Sequence, residues 1–440
     1  MGKQKKKKTM FDVACENLEK ALLEKQICFH GDEIYKFACG MWRRTDVDTV
    51  VALLLPLRAT GRITADVKNY LENLMLADAS RAADGFGEFQ VDYLPSNYIA
   101  VQNGAINIET GNVEKVGKKY IPQNVIRFKY NKNLKRYSPK ADTIIKDWAR
   151  NDSAIEYMIY EVAANAISTD RDGCAYFLYG AHGANGKSLY LEALKNLLGG
   201  YGENGKDNWT AGNIEDIQNP TTAIRLEHCL AFFDDDVKDF SDGASKDLTM
   251  IIKKVVTGGE IEGKALYRGN KFIKPRATII AGTNFVPNFG NFESNHAVDR
   301  RLRVIPFDNY FGNLPDSVKK ETAAFVQSDE FAEHLLYRAV EVLRAKTGLY
   351  SETPRARELK HGFDRLADAE DDADEFSFDN VVGLESAVAK QMYNEWATIN
   401  GAPMAKNSNE FQRVLADNGL QIKRTAGTCG HGRKRVVVWM

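Results

Sequence analysis

The sequence predicts an α/β fold with a largely parallel sheet, and three observations predict it. From residue 174 onward, short apolar runs alternate with helical patterns: "CAYFLY" (174–179), "CLAFF" (229–233) and "ATIIAG" (277–282). Strands interleaved with helices need crossover connections, and crossovers produce parallel neighbours. The chain has 440 residues, of which 44% are hydrophobic, which is enough for two or three cores rather than one. The flanks differ in texture: helical periodicity dominates ahead of 174, and a helix–helix–strand–strand pattern closes the chain.

The elements follow in order. "MGKQKKKK" is a basic tag without an acid. In "TMFDVACENLEKALLEK", Phe11, Ala14, Cys15, Leu18 and Leu22 share one helical face, so this is an amphipathic helix rather than a secretion signal. Helical patterns resume over 46–80. "DVD" (46–48) is the nearest approach to an Asp-x-Asp metal pair, but it opens a helical run, and capping explains it better. "YIAVQNGAINIETGNVEKV" (98–116) alternates and turns at Glu-Thr-Gly-Asn, which predicts a β-hairpin. Helix returns at 141–168 and again at 317–346. "DAEDDADEFSFD" (368–379) is an acidic linker. Helices at 384–400 and 408–419, then a strand, a glycine-rich loop and a strand, give the outline of a winged helix. There is no internal repeat. The expected division is a mainly helical N-terminal domain (1–140), an α/β core with a helical lead-in (141–315), a helical extension (316–366), the linker (367–380) and the winged helix (381–440).

Composition excludes more than it selects. The formal net charge is −1, so bulk charge names no partner. The longest apolar run, "VVALLLPL" (50–57), is far short of a membrane span and contains Pro56, so a soluble protein with no membrane partner is expected. Cys15, Cys28, Cys39, Cys174, Cys229 and Cys429 form no CxxC pair, which predicts neither zinc nor disulfides and fits a reducing cytoplasm.

The chemistry concentrates in "YGAHGANGKSLYLEALKNLLGG" (179–200). Phosphate binding needs small residues so that backbone N–H groups converge, a lysine for the β/γ charge, a hydroxyl for Mg²⁺, and a helix N-terminus directly behind. Gly183, Ala184, Asn185 and Gly186 supply the loop, Lys187 the charge and Ser188 the hydroxyl. Ala181 stands where the strict pattern has its first glycine, and Gly180 is one place early. His182 has no visible partner and is a loop residue. A partner strand should be apolar and end in acids that hold the metal and orient water. "CLAFFDDDVKD" (229–239) does so. Asp234 is the first choice for the metal, with Asp235 polarising water, and Asp236 allows a register shift by one. "ATIIAGTN" (277–284) ends in Asn284, an amide suited to orienting that water. "DRRLRVIPF" (299–307) offers Arg300 and Arg301 as fingers for a neighbouring subunit's site.

In this order and spacing, "GANGKS", "AFFDDD", "KKVVTGGEIEGKALYRGNKFIKPRATIIAGTN" and "DRRLRVIPF" resemble superfamily 3 helicases. The resemblance points to the helicase half of phage and plasmid primase–helicases, related to the poxvirus primase–helicase NTPase. "IYKFACGMW" and "NGAINIETGNV" are similar to the domain that precedes the motor there, so the resemblance runs from about residue 30 to the end. It implies an AAA+-like P-loop core, a ring that is usually a hexamer, ATP and Mg²⁺ between subunits, and translocation on single-stranded DNA, usually 3′ to 5′. By residue, Lys187 and Ser188 match the first motif, Asp234 to Asp236 the second, Asn284 the sensor, and Arg300 and Arg301 the finger region. Residues 260–274 match the family's DNA-gripping hairpin. Lys264, Arg268, Lys271 and Lys274 surround an Arg-Gly-Asn turn there, with Tyr267 and Phe272 interleaved, a composition that suits a phosphate backbone.

The primase domain that often precedes such motors has no counterpart, so a separate primase is an expected partner or none is needed. The leading expectation is a replication helicase of a phage, plasmid or mobile element, acting in the host cytoplasm. Its winged helix would meet duplex DNA through Arg433, Lys434 and Arg435. The alternative is an ATP-dependent initiator or loader that does not itself unwind. A third reading, an assembly module with a decayed ATPase, is opposed by the intact motif residues.

Overall fold

The computed structural model describes residues 8–31, 33–55, 59–134, 136–170, 173–181, 183–201, 206–237, 246–265, 269–284, 301–345, 353–356, 359, 382, 384–400, 404–417, 420–424 and 435–439. The chain opens with α1 (Met10–Leu23), whose Thr9 and Asp12 form a reciprocal capping box. Three antiparallel strands follow, β1 (Ile27–His30), β2 (Glu33–Ala38) and β3 (Met41–Thr45), then α2 (Val47–Leu54) and α3 (Gly61–Ala83). The three helices close over the apolar face of this sheet through Leu18, Phe29, Ile34, Val50 and Leu71. Asp46 accepts from the Thr49 N–H at 2.6 Å and Asp48 pairs with Lys68 at 2.8 Å. The cap at Asp46 is the role the sequence assigns to this stretch.

The region ahead of the core is less helical than its periodicity suggests. Besides the β1–β3 sheet it holds a meander, β4 (Tyr98–Val101), β5 (Gly104–Asn107) and β6 (Val113–Glu114). The alternation over 98–116 is real, but it spans two turns: a tight one at Gln102–Asn103 and the expected one near Thr110–Gly111. The helical lead-in divides into α4 (Pro139–Trp148) and α5 (Ser153–Ile167), because Arg150 and Asn151 both take positive φ. Every residue of α5 from Met158 on is buried, so its pattern shows no polar stripe.

The core sheet is five-stranded and wholly parallel. Its strands are β7 (Ala175–Tyr179), β10 (Trp209–Ala211), β11 (Ala231–Asp234), β14 (Thr278–Thr283) and β15 (Leu302–Pro306), in spatial order β10-β11-β14-β7-β15. Between them lie α6 (Lys187–Leu198), the two-residue strands β8 (Gly200–Tyr201) and β9 (Lys206–Asp207), the short α7 (Pro220–Ala223), α8 (Lys246–Thr257), and a hairpin of β12 (Ile261–Ala265) and β13 (Gly269–Ile273). Tyr176, Leu178, Phe233, Ile280 and Ile305 face a helical layer on one side, while Phe177, Phe232, Ile279 and Leu302 face the other. A parallel sheet covered on both faces requires such unbroken apolar strands. The helical stretch after the core is two helices, α9 (Asp316–Val326) and α10 (Asp329–Ala345), separated at Gln327–Ser328.

Helix α10 docks on α5 and α6, and a buried polar chain sets its register. His334 is fully buried; the Ser138 N–H donates to its Nδ1 at 3.1 Å, and its Nε2 lies 3.0 Å from the Tyr160 hydroxyl, which donates to Asp142. A backbone donor at Nδ1 fixes the neutral ring with its proton on Nε2. Burial pushes His334 down to about 4, against an opposing pull from Asp142. The unfolded chain therefore binds this proton more readily, so its contribution is complete above about pH 6.5 and is lost as the pH falls towards 4. Melting curves should show His334→Gln flattening the acid limb over that window by on the order of 3 kcal/mol; parallel limbs would remove the assignment.

The C-terminal part holds α11 (Ser386–Asn400), α12 (Ser408–Asp417) and an antiparallel ribbon of β16 (Leu420–Arg424) and β17 (Arg435–Trp439) around Tyr393, Phe411, Leu415 and Val437. Arg433, Lys434 and the acidic linker lie outside the described residues, and Arg435 is described only as backbone paired with Arg424. No helix among the described residues is long and apolar enough to cross a membrane.

Candidate functional site

The loop between β7 and α6 is shaped by close approach. Gly186, the N-cap of α6, has φ 94°, and a Cβ there would lie 2.3 Å from the indole nitrogen of Trp148. A side chain is therefore excluded twice, by backbone conformation and by space. Gly180 does what the sequence pattern asks of the next position. A Cβ on it would meet Asn185 and the Phe307 carbonyl at 2.9 Å, so the glycine displaced by one place is the one the packing needs. The segment after β15 clamps the loop from outside. The Phe311 N–H donates to the Ala184 carbonyl at 2.9 Å, and Asn185 Nδ2 donates to the Asn309 carbonyl at 2.7 Å. Asn309 in turn donates to the Asp147 carbonyl at 2.9 Å. Gly183 stands in open space at the loop crest, and Ser188 is exposed in the first turn of α6. His182 lies outside the described residues.

Lys187 is buried, with 8% of its surface exposed. Its Nζ donates to the Gly180 carbonyl at 3.1 Å and to Asn284 Oδ1 at 2.9 Å, with Asn185 Oδ1 at 3.5 Å. All three are neutral oxygens. Burial lowers its pKa and the field of Asp236 partly restores it. An ammonium ion desolvated among neutral dipoles gains most from an anion brought to it. The loop, the helix N-terminus and this lysine together fit a polyphosphate.

The three acids after β11 have different surroundings. Asp234 is buried, and its carboxylate accepts from the Ile214 N–H at 2.7 Å and the Asp236 N–H at 3.2 Å. Burial raises its pKa. Asp235 is exposed and pairs with Lys195 at 3.0 Å, away from the loop. Asp236 is exposed, and its charge is the one Lys187 feels. Among the described residues no group of three His, Cys, Asp or Glu could hold a metal alone. Mg²⁺ here would rest on Ser188 and an acid, with phosphate and water oxygens completing its shell.

Arg301 lies at the opposite end of the sheet. Its carbonyl accepts from the Ala175 N–H at 2.7 Å, where β7 begins, and β15 then runs beside β7 until Pro306 pairs with Tyr179. Five strand residues, roughly 16 Å, separate Arg301 from the loop of its own chain. Arg300 lies outside the described residues.

Residues 261–273 form the expected basic hairpin, in register from Ile261–Ile273 to Ala265–Gly269. Phe272 is 75% exposed. Lys264 is exposed near the tip, Lys274 lies 3.7 Å from Glu260 at the base, and Lys271 is ion-paired with Glu227 at 2.8 Å. Tyr267 and Arg268 lie outside the described residues.

Sequence reasoning missed Trp148, Asn309 and Glu227. Each works through a contact distant in the chain, and only the polar loop "FDNYFG" (307–312) after an apolar strand hints at one of them.

A family model described as a family of unknown function (DUF5906) matches residues 178–301, from the end of β7 to the start of β15. No curated protein matches the chain. Among solved structures, the apo structure of the NrS-1 C-terminal region is similar at 15% identity and a TM-score of 0.46, over 96% of this chain and 98% of that one. An A-form apo structure of the same region gives 14% and 0.44, over 96% and 99%.

Proposed function

We propose that this chain is an ATP-driven DNA helicase that works as a ring, in which each cradle is completed by a neighbour's arginine. One observation carries the reading: Lys187 bridges the loop at the end of β7 to Asn284 at the end of β14, while the acidic strand β11 lies one place further out. A strand inserted between cradle and acids leaves a cleft in which a γ-phosphate and a water fit between lysine, amide and carboxylate. Lys187 holds the phosphate, Asn284 orients the water, and Asp236 with Ser188 holds the metal. Mg²⁺, when bound, neutralises developing phosphate charge. Asp234, locked by two backbone donors, sets the acidic turn.

This register makes a specific prediction. Asp236→Asn is expected to lower ATP turnover about a hundredfold, whereas Asp235→Asn should change it little. Steady-state hydrolysis of both variants decides between them, and the reverse order makes Asp235, the water-polarising residue of the sequence reading, the acid that turnover depends on.

The substrate side rests on the hairpin and on the C-terminal helices and ribbon, which we read as a small winged-helix domain suited to duplex DNA. Strand separation on a forked duplex with ATP and Mg²⁺ tests the function. Unwinding supports the motor, and ATP hydrolysis with DNA binding but no unwinding supports the initiator or loader.

A further inference from the structure

The turn at Ile224–His228 connects three parts of the molecule. It leads into β11. On one side it carries the hairpin: a Cβ on Gly263 would lie 2.9 Å from Ile224 Cδ1, the Arg276 N–H donates to the Leu226 carbonyl at 3.0 Å, and Glu227 pairs with Lys271 at 2.8 Å. On the other side it meets the N-terminal sheet. His228 Nε2 lies 3.2 Å from both Glu227 and Glu33. Glu33 is itself buried and held by Arg44 and by the Tyr35 hydroxyl at 2.8 Å. The His228 carbonyl accepts from Asn124 at 2.8 Å. A continuous polar chain thus runs from β2 through His228 and Glu227 to the ammonium group on β13.

We infer that Glu227 holds Lys271 in the place a DNA phosphate would take, and that His228 fastens this pair to Glu33, so that the N-terminal sheet positions the hairpin. Glu227 and His228 are positioning residues; the inference rests on the reading of this hairpin as a DNA contact. The electrostatics agree with the geometry. Burial alone would raise the Glu227 carboxyl, yet the bonds from His228 and Lys271 hold it at about 2. The carboxylate is therefore charged whenever the chain is folded near neutrality, and phosphate must compete with it for Lys271. Since Lys271 is only partly exposed, the exchange replaces one anion by another at its ammonium group, and Glu227 keeps His228 as a partner at 3.2 Å.

The test uses the full chain and a fluorescein-labelled oligothymidylate of about thirty nucleotides at low salt. Glu227→Gln is expected to tighten binding about threefold to tenfold, and adding Lys271→Ala is expected to erase that gain. Hydrogen exchange is read on the same proteins. Amides of 261–265 and 269–273 should exchange faster in Glu227→Gln and in Glu33→Gln, while those of β7 and β14 stay protected. Unchanged affinity in Glu227→Gln, a gain that survives Lys271→Ala, or unaltered hairpin exchange overturns the inference. If the wild type does not bind the oligonucleotide, the DNA reading of the hairpin falls, and the exchange data alone then judge the link to the N-terminal sheet.

Discussion

Replacing Lys187 by Ala is expected to lower ATP hydrolysis by at least about a hundredfold and to leave the melting temperature no lower. The two halves of this expectation have one cause. Lys187 is a buried cation whose contacts are the Gly180 carbonyl and the amide oxygens of Asn185 and Asn284. Folding gains little from such an ion, since burial disfavours its charge and, among the described residues, it touches neutral dipoles and feels only the field of Asp236 in return. Its removal relieves desolvation and deletes the side-chain bridge from Gly180 to Asn284, while the Gly180 N–H still bonds the Thr283 carbonyl at 3.2 Å. The lost function is the charge presented to a phosphate. Phosphate-release kinetics and a melting curve on one preparation check both. Wild-type turnover in the variant would end the cradle assignment, and an unfolded variant would make Lys187 a structural residue.

Arg301→Ala is expected to cost about a thousandfold in turnover, and the loss should be recoverable by mixing. Because Arg301 stands at the start of β15 while the cradle stands at the end of β7, the arginine and the cradle of one chain do not meet. Under the proposed ring, a second copy supplies it. In an equal mixture of Arg301→Ala and Lys187→Ala subunits, about a quarter of interfaces in a cyclic assembly pair an intact cradle with an intact arginine. Hydrolysis should rise to about that fraction of wild type although each variant alone is inactive. A mixture as inactive as its components refutes the shared site, and a fully active Arg301→Ala transfers the role to Arg300.

Some of this was legible in the sequence and some was not, for physical reasons. Three strands of the core, β7, β11 and β14, were plain because each is buried on both faces and reads as an unbroken apolar run; they fall within a residue or two of the stretches that announce them, whereas the short β10, intermediate to exposed along its length, carries no such run. The first sheet was not. In β2 and β3, Lys36, Arg43 and Arg44 interrupt the apolar pattern, and Glu33 is buried only because Arg44 and His228 reach it from elsewhere. The loop that holds Lys187 was recognisable, but the reason for its displaced glycine was not, since Phe307 lies more than a hundred residues away. The order of the acids was equally hidden. Asp234, Asp235 and Asp236 differ only in what surrounds them: two backbone donors, Lys195, or the neighbourhood of Lys187.

Strand β14 has one more consequence. It begins four residues beyond Lys274, at the foot of the basic hairpin, and ends one residue before Asn284. Three connecting residues (275–277) and six strand residues, the strand spanning roughly 20 Å, are therefore all the chain between the two candidate sites, and parallel neighbours bind the strand along both edges. The short connection at 275–277 is itself tied down, since the Arg276 N–H donates to the Leu226 carbonyl at 3.0 Å. The molecule works here like a rod in a sleeve: the separation of the two sites is fixed by backbone geometry, and an insertion in β14 would move the hairpin, the amide, or both out of place while leaving every surface residue intact.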